Sequence, residues 1–212
     1  VDDLASTRSE QEKADWLASW GSAFLADVER GWSDDPICMA VVDTVRRWEI
    51  PVAHFEAFLH SMTMDLTVTE YRTYDDLYEY VYGSAAVIGL QMVPILEPTA
   101  PEAYDRAKDL GVAFQLANFI RGVNEDLDRG RVYLPLDELE GFGVTRGDLE
   151  ARVMTSSIRA ALVEQVAGER HEDAHGNPRP GRVDLLPQVL QAVLLGHQVL
   201  RRQPLPARSR RG

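Results

Sequence analysis

The 212-residue chain is 45% hydrophobic and 26% charged, the balance of a globular protein with a real core and room for one domain. Its net charge of −12 excludes nucleic acid as the main partner, because phosphate backbones call for a basic surface. Cys38 is the single cysteine, so no internal disulfide can form and a reducing, cytoplasmic setting is expected.

The N-terminus, VDDLASTRSE, is acidic and polar and does not resemble a signal peptide. The chain opens on Val1 rather than methionine, which points to sequence upstream or to processing. Ser9 with Glu12 forms a capping box, and Trp16, Trp20, Phe24 and Val28 follow at helical spacing until Gly31. Asp35-Pro36 opens a second helix to about Trp48, and Pro51 a third to about Leu66. Thr73 with Asp76 repeats the capping box and starts a long apolar helix to about Leu96. Its run AAVIGLQMVPIL (85–96) is too short to span a bilayer and holds Gln91 and Pro94.

Pro101 starts a fifth helix that runs to Arg129 and stops at Gly130. A sixth is predicted over 147–170. No stretch sustains a period of two, so the class is all-α. From about His175 the character changes: GNPRPG breaks any helix, LLPQVLQAVLLGHQVL is apolar, and RRQPLPARSRRG should be disordered. Asp184 is the last acidic residue, and five arginines lie beyond it. The predicted organisation is one domain over 1–178 and an atypical segment over 179–212.

The fifth helix carries the chemistry. At about 100° per residue, Gln115, Asn118, Gly122 and Asp126 fall on one face, with Arg121 and Glu125 flanking it and Arg131 just past the helix end. Hard oxygens suit Mg²⁺ and forked arginine donors suit phosphate, so the face reads as a diphosphate–metal site. An ordinary solvated face with i,i+4 pairs is the competing reading. The apolar neighbours Phe114, Leu116, Ala117, Phe119 and Ile120 weigh against it, since they set the amides of Gln115 and Asn118 in what should be a largely buried helix. Tyr80, Ser84, Ile88 and Met92 recur every four residues, as a cavity-lining stripe or as simple core.

LGVAFQLANFIRGVNEDLDRGRVYLP (110–135) and YEYVYGSAAVIG (78–89) resemble the two signatures of the squalene and phytoene synthase family, and within it bacterial phytoene synthases. MDLTVTEYRTYDDL (64–77) resembles the segment leading into the second of these, and the likeness covers roughly residues 1–170. The resemblance implies the all-α isoprenoid synthase fold, a helical bundle around an apolar prenyl cavity. It implies 1′–1 condensation of two geranylgeranyl diphosphates through a cyclopropyl diphosphate, as in carotenoid biosynthesis. Mg²⁺ is the expected cofactor, with Mn²⁺ as the alternative, and a membrane surface is an expected peripheral partner.

By the same resemblance, Tyr80 is an active-site tyrosine, and Gln115, Arg121 and Arg131 bind substrate with Ser84, Ile88 and Met92. Asn118, Glu125 and Asp126 hold metal, Asp126 being the second aspartate of its motif. Asp2 matches the second aspartate of the other motif, whose first would lie upstream of Val1. Gly122 departs from the family, which places an aspartate there, and this puts catalysis in doubt. A non-catalytic diphosphate-binding or partner subunit, and a squalene- or dehydrosqualene-type synthase using C15 substrates, stay open. His171-Glu172-Asp173-Ala174-His175 matches the zinc-peptidase string, but Gly176-Asn177-Pro178 ends any helix there, so it reads as a solvated helix end. Oligomeric state is not legible.

Overall fold

The computed structural model describes residues 9–167, whose regular elements are all helical; the one other pairing is an isolated parallel bridge, Glu70 to Val132. In chain order the elements are α1 (Glu10–Arg30), α2 (Pro36–Arg47), α3 (Val52–Thr67), α4 (Tyr74–Val81), a π-helical turn (Tyr82–Ala86), α5 (Val87–Ile95), α6 (Ala103–Asp128), α7 (Leu136–Gly141), α8 (Arg146–Glu150) and α9 (Ser156–Ala167). Asp2, the His171–His175 string and the segment from 179 onward lie outside the described residues.

The helix starts follow local chemistry. Ser9–Glu12 and Thr73–Asp76 form reciprocal capping boxes, and the Asp35 carboxylate accepts from the amides of Ile37 and Cys38 ahead of Pro36. Each such cap satisfies backbone donors that the first turn leaves unpaired.

Two expected elements differ. The helix from Thr73 to Leu96 is interrupted at Tyr82–Ala86 by the π turn. There the chain presses on α3: a Cβ on Gly83 would lie 2.0 Å from the Ala57 carbonyl oxygen and 2.2 Å from Ser61 Oγ, so only glycine fits. The Ser61 hydroxyl, wholly buried, donates to the Tyr80 carbonyl at 2.9 Å and gives that oxygen a partner beside the irregular turn. The single helix expected over 147–170 is instead α8 and α9. Arg152 turns to φ +54, and Thr155 starts the chain again by accepting the Ile158 amide on its hydroxyl at 3.1 Å.

Three apolar clusters tie the elements together. Phe24, Val42 and Val45 join α1, α2 and α3. Ile120, Leu139, Leu149 and Ile158 join α6 to the short helices. Between these lies an aromatic cluster of Tyr71, Tyr80, Phe119 and Tyr133, and it frames the candidate site. Among the described residues no helix is long and apolar enough to cross a membrane.

Candidate active site

The site forms where the end of α6 returns toward the end of α3. Gly130, at φ +73, reverses the chain after α6, and the Arg131 amide donates back to the Asp126 carbonyl at 2.8 Å. Residues 131–137 then run beside 69–72. The Val132 amide reaches the Thr69 carbonyl, and the Leu136 amide reaches that of Tyr71. This short pairing sets Arg131 and Tyr133 against Asp65 on the last turn of α3.

Asp65 is the hub of a half-buried polar cluster. Its Oδ2 accepts from the Tyr80 hydroxyl at 3.2 Å, and its Oδ1 accepts from the Tyr133 hydroxyl at 2.8 Å and from Arg131 Nη1 at 3.2 Å. Arg131 Nη1 also donates to Tyr133 Oη at 2.9 Å, and Nη2 donates to the Asp65 carbonyl. Tyr133 stacks on Phe119 with centroids 4.5 Å apart and lies 5.4 Å from the Tyr80 ring.

Burial pushes the Tyr80 phenol far above its ordinary range, and the neighbouring Tyr133 phenol and Asp65 carboxylate add to this. Tyr133 is pushed up to about 12, chiefly by burial and then by Asp65. Both phenols are therefore neutral at physiological pH. Burial works against the Arg131 charge, but Tyr133 and Asp65 outweigh it and raise its pKa.

Asp126 lies beside this cluster. It shares with Arg131, Phe119 and Tyr133 a small gap of about 10 Å³ between α6 and the returning strand-like segment. Its carboxylate leans back over Gly122, where a Cβ would sit 3.4 Å from Asp126 Oδ2. Burial raises the Asp126 pKa against the pull of Arg129, with Glu125 adding to the rise.

The other expected residues are placed less centrally. Asn118 is exposed and accepts from Arg121 Nη2 at 2.7 Å, while Gln115 is half-buried and Glu125 is exposed. The expectation of a largely buried helix around these amides is corrected: Phe114 is 65% exposed, because no described element covers that side of α6. The stripe Tyr80, Ser84, Ile88, Met92 does not share one environment either. Tyr80 is buried toward Asp65, the Ser84 hydroxyl is buried without a hydrogen-bond partner, and Ile88 and Met92 are 40% and 47% exposed. The π turn between Tyr80 and Ile88 changes the angular step that equal spacing assumed.

Asp65, Tyr133 and Tyr71 were missed as site residues. Asp65 and Tyr71 lie within quoted stretches that resemble the family, as does Tyr133, so the signal was their position there rather than any spacing.

Among the described residues no three histidine, cysteine or acidic side chains gather as a metal site. Asp65 is committed to its three donors. The donors left on that face of α6 are one half-buried carboxylate, Asp126, and the amide oxygen of Asn118; Gln115 lies about 16 Å from Asp126 along the axis, too far to share an ion with it. That donor set suits a single Mg²⁺ held mainly through phosphate oxygens and water, which needs only one or two protein carboxylates. It does not suit a second metal at position 122.

A sequence model of the squalene/phytoene synthase family matches residues 1–202. Phytoene synthase 1, chloroplastic, of Arabidopsis thaliana is 38% identical over 160 residues, covering 73% of this chain and 38% of that protein. The bifunctional protein CrtB/UppS of Streptomyces coelicolor is 36% identical over 152 residues, covering 71% of this chain and 27% of that one. This chain thus spans well under half the length of either relative. Among solved structures, a dehydrosqualene synthase in complex with ligand superposes with a TM-score of 0.64 at 28% identity, over 71% of this chain and 53% of its own. Squalene synthase HpnC from Alicyclobacillus acidocaldarius gives 0.68 at 24%, over 94% and 76%, a likeness of fold. An isoprenoid synthase-like helical fold with a tyrosine–aspartate–arginine cluster beside Asp126 is the class these features define. The chain belongs to the squalene/phytoene synthase family.

Proposed function

We propose that this chain binds prenyl diphosphates and derives from a phytoene synthase-type enzyme that joins two geranylgeranyl diphosphates 1′–1 through a cyclopropyl diphosphate. The observation that supports it best is Arg131, which shares a small gap with Asp126 and is tied through Asp65 to the Tyr80 hydroxyl. Arg131 offers donors to the diphosphate, and Asp126 with Asn118 is the set that would hold Mg²⁺ or Mn²⁺. When bound, the metal supplies positive charge to a departing diphosphate. Tyr80, a neutral phenol, cannot serve as an ionised base at pH 7. Its oxygen can lend electron density to a nearby cation, and the apolar walls around it exclude water. Ile88, Met92 and Phe114, apolar and exposed on α5 and α6, are the residues that would line the route for the prenyl chain, with Ser84 buried behind them.

A second reading, that the chain binds prenyl diphosphate without turning it over, is favoured by Gly122. Family members carry an aspartate there, and the absent carboxylate takes away electrostatic stabilisation for which about 10²–10³ in rate is a typical loss. C15 substrates remain the alternative to C20, and a membrane surface is the proposed source of so apolar a substrate.

The test is to incubate the chain with geranylgeranyl diphosphate and Mg²⁺, beside a Gly122→Asp chain, and to assay phytoene and released diphosphate. Product from the chain itself supports catalysis, and product from the substituted chain alone assigns the defect to Gly122. Tight binding without diphosphate release from either chain supports the second reading. Neither turnover nor binding of geranylgeranyl or farnesyl diphosphate would overturn both.

A further inference from the structure

We propose that Asp65 is a positioning residue that holds Arg131 with one edge of its guanidinium turned to the diphosphate; this rests on the prenyl diphosphate reading above. A guanidinium has five N–H donors in a rigid planar fork. Nη1 donates to Asp65 Oδ1 and to Tyr133 Oη, and Nη2 donates to the Asp65 carbonyl. The Nε–H takes no partner among the described residues, and it shares one edge of the plane with Nη2. That Nε–Nη2 edge presents parallel N–H groups, the arrangement that fits two oxygens of a phosphate bidentately.

Asp65 thus uses its side chain and its own backbone carbonyl to occupy the Nη1–Nη2 end of the fork. Arg131 cannot rotate without breaking three bonds, and about a quarter of its side chain stays open to incoming ligand (28% exposed). Tyr133 completes the clamp from below by donating to Oδ1. The Tyr80 hydroxyl donates to Oδ2, so the proton of that phenol is also directed at Asp65 and its lone pairs face away. One carboxylate on α3 therefore orients groups from α4 and from the segment after α6. Without it, Arg131 would keep a partly buried charge and lose its partner, and the guanidinium would turn toward solvent.

A purely structural clamp would lower stability without linking Asp65 to ligand affinity through Arg131. The discriminating experiment is a double-mutant cycle on the full 212-residue chain. Calorimetry would measure the Kd for geranylgeranyl thiolodiphosphate, an unreactive analogue, with Mg²⁺. The variants are Asp65→Asn, Arg131→Ala and the pair, with thermal melts to confirm folding. A lost bidentate charge-assisted contact predicts a loss of about 10–100-fold for Arg131→Ala. Asp65→Asn should show a loss of similar size, and the double variant should bind no more than about twofold worse than Arg131→Ala alone.

If the two losses multiply, or if Asp65→Asn binds like the parent, the positioning role is overturned while the diphosphate reading stands. If the parent chain does not bind the analogue, that reading falls and this one with it. Should Asp65→Asn fail to fold, Tyr133→Phe keeps both charges and removes one hydroxyl from the clamp. It should cost severalfold in affinity in the parent and nothing in the Arg131→Ala background, and an equal cost in both would overturn the proposal.

Discussion

Replacing Gly122 by aspartate should destabilise the metal-free protein and make its stability depend on Mg²⁺ and diphosphate. A Cβ at this position points at Asp126 Oδ2 from 3.4 Å, so a new carboxylate has Asp126 as its immediate neighbour. At a separation of about 5 Å and an effective dielectric of about 20, two such charges repel by roughly 3 kcal/mol. Replacing a helical glycine returns under about 1 kcal/mol of propensity. Asp126, whose pKa is already raised by burial, can relieve part of the conflict by taking a proton. The net expectation is a loss of about 1–2 kcal/mol at pH 7.5, or a fall of roughly 2–8 °C in Tm for a chain of this size. Gly122→Asn has the same shape without the charge and should show no loss. Melts by circular dichroism, with and without millimolar Mg²⁺ and inorganic diphosphate, would check this. A Gly122→Asp chain that is as stable as Gly122→Asn without metal, and indifferent to metal and diphosphate, would refute the claim that positions 122 and 126 face one cation site.

Asp126→Asn should raise stability at neutral pH while weakening diphosphate binding. The folded pKa of Asp126 lies above its unfolded value, so the native state holds its proton longer and stability falls as pH rises from about 4 through the folded pKa. The asparagine variant should lose that slope in a series of melts between pH 4 and 7. Gly83→Ala should abolish folding or cost several kcal/mol, because its Cβ would collide with α3 backbone at 2.0 Å; a soluble variant with the parental Tm would contradict the π-turn packing. Phe114→Ser should change Tm little, the side chain being exposed, yet weaken binding of a C20 diphosphate more than that of inorganic diphosphate. Equal affinities before and after would remove Phe114 from the prenyl route.

Much of this protein was legible in its amino-acid order because the relevant physics is local. Ser9, Asp35 and Thr73 cap helices with atoms two or three residues away, and Gly130 ends α6 where a positive φ is needed. The α6 face with Gln115, Asn118, Gly122 and Asp126 follows from the 3.6-residue turn alone. The capping hydroxyl of Thr155 is an equally local signal, and it divides the single helix expected over 147–170.

Tertiary structure decided what local periodicity cannot encode. The π turn exists because Gly83 meets the α3 backbone, and that contact shifts Ile88 and Met92 out of register with Tyr80. Asp65 sits 66 residues from Arg131, and nothing in the spacing of either announces the other. Their meeting depends on the 69–72 segment pairing with the chain after Gly130, a contact whose loop-closure cost only the folded core can offset. The order of residues supplied the donors and the acceptors. The packing of the last turn of α3 against the segment after α6 determined which of them face each other.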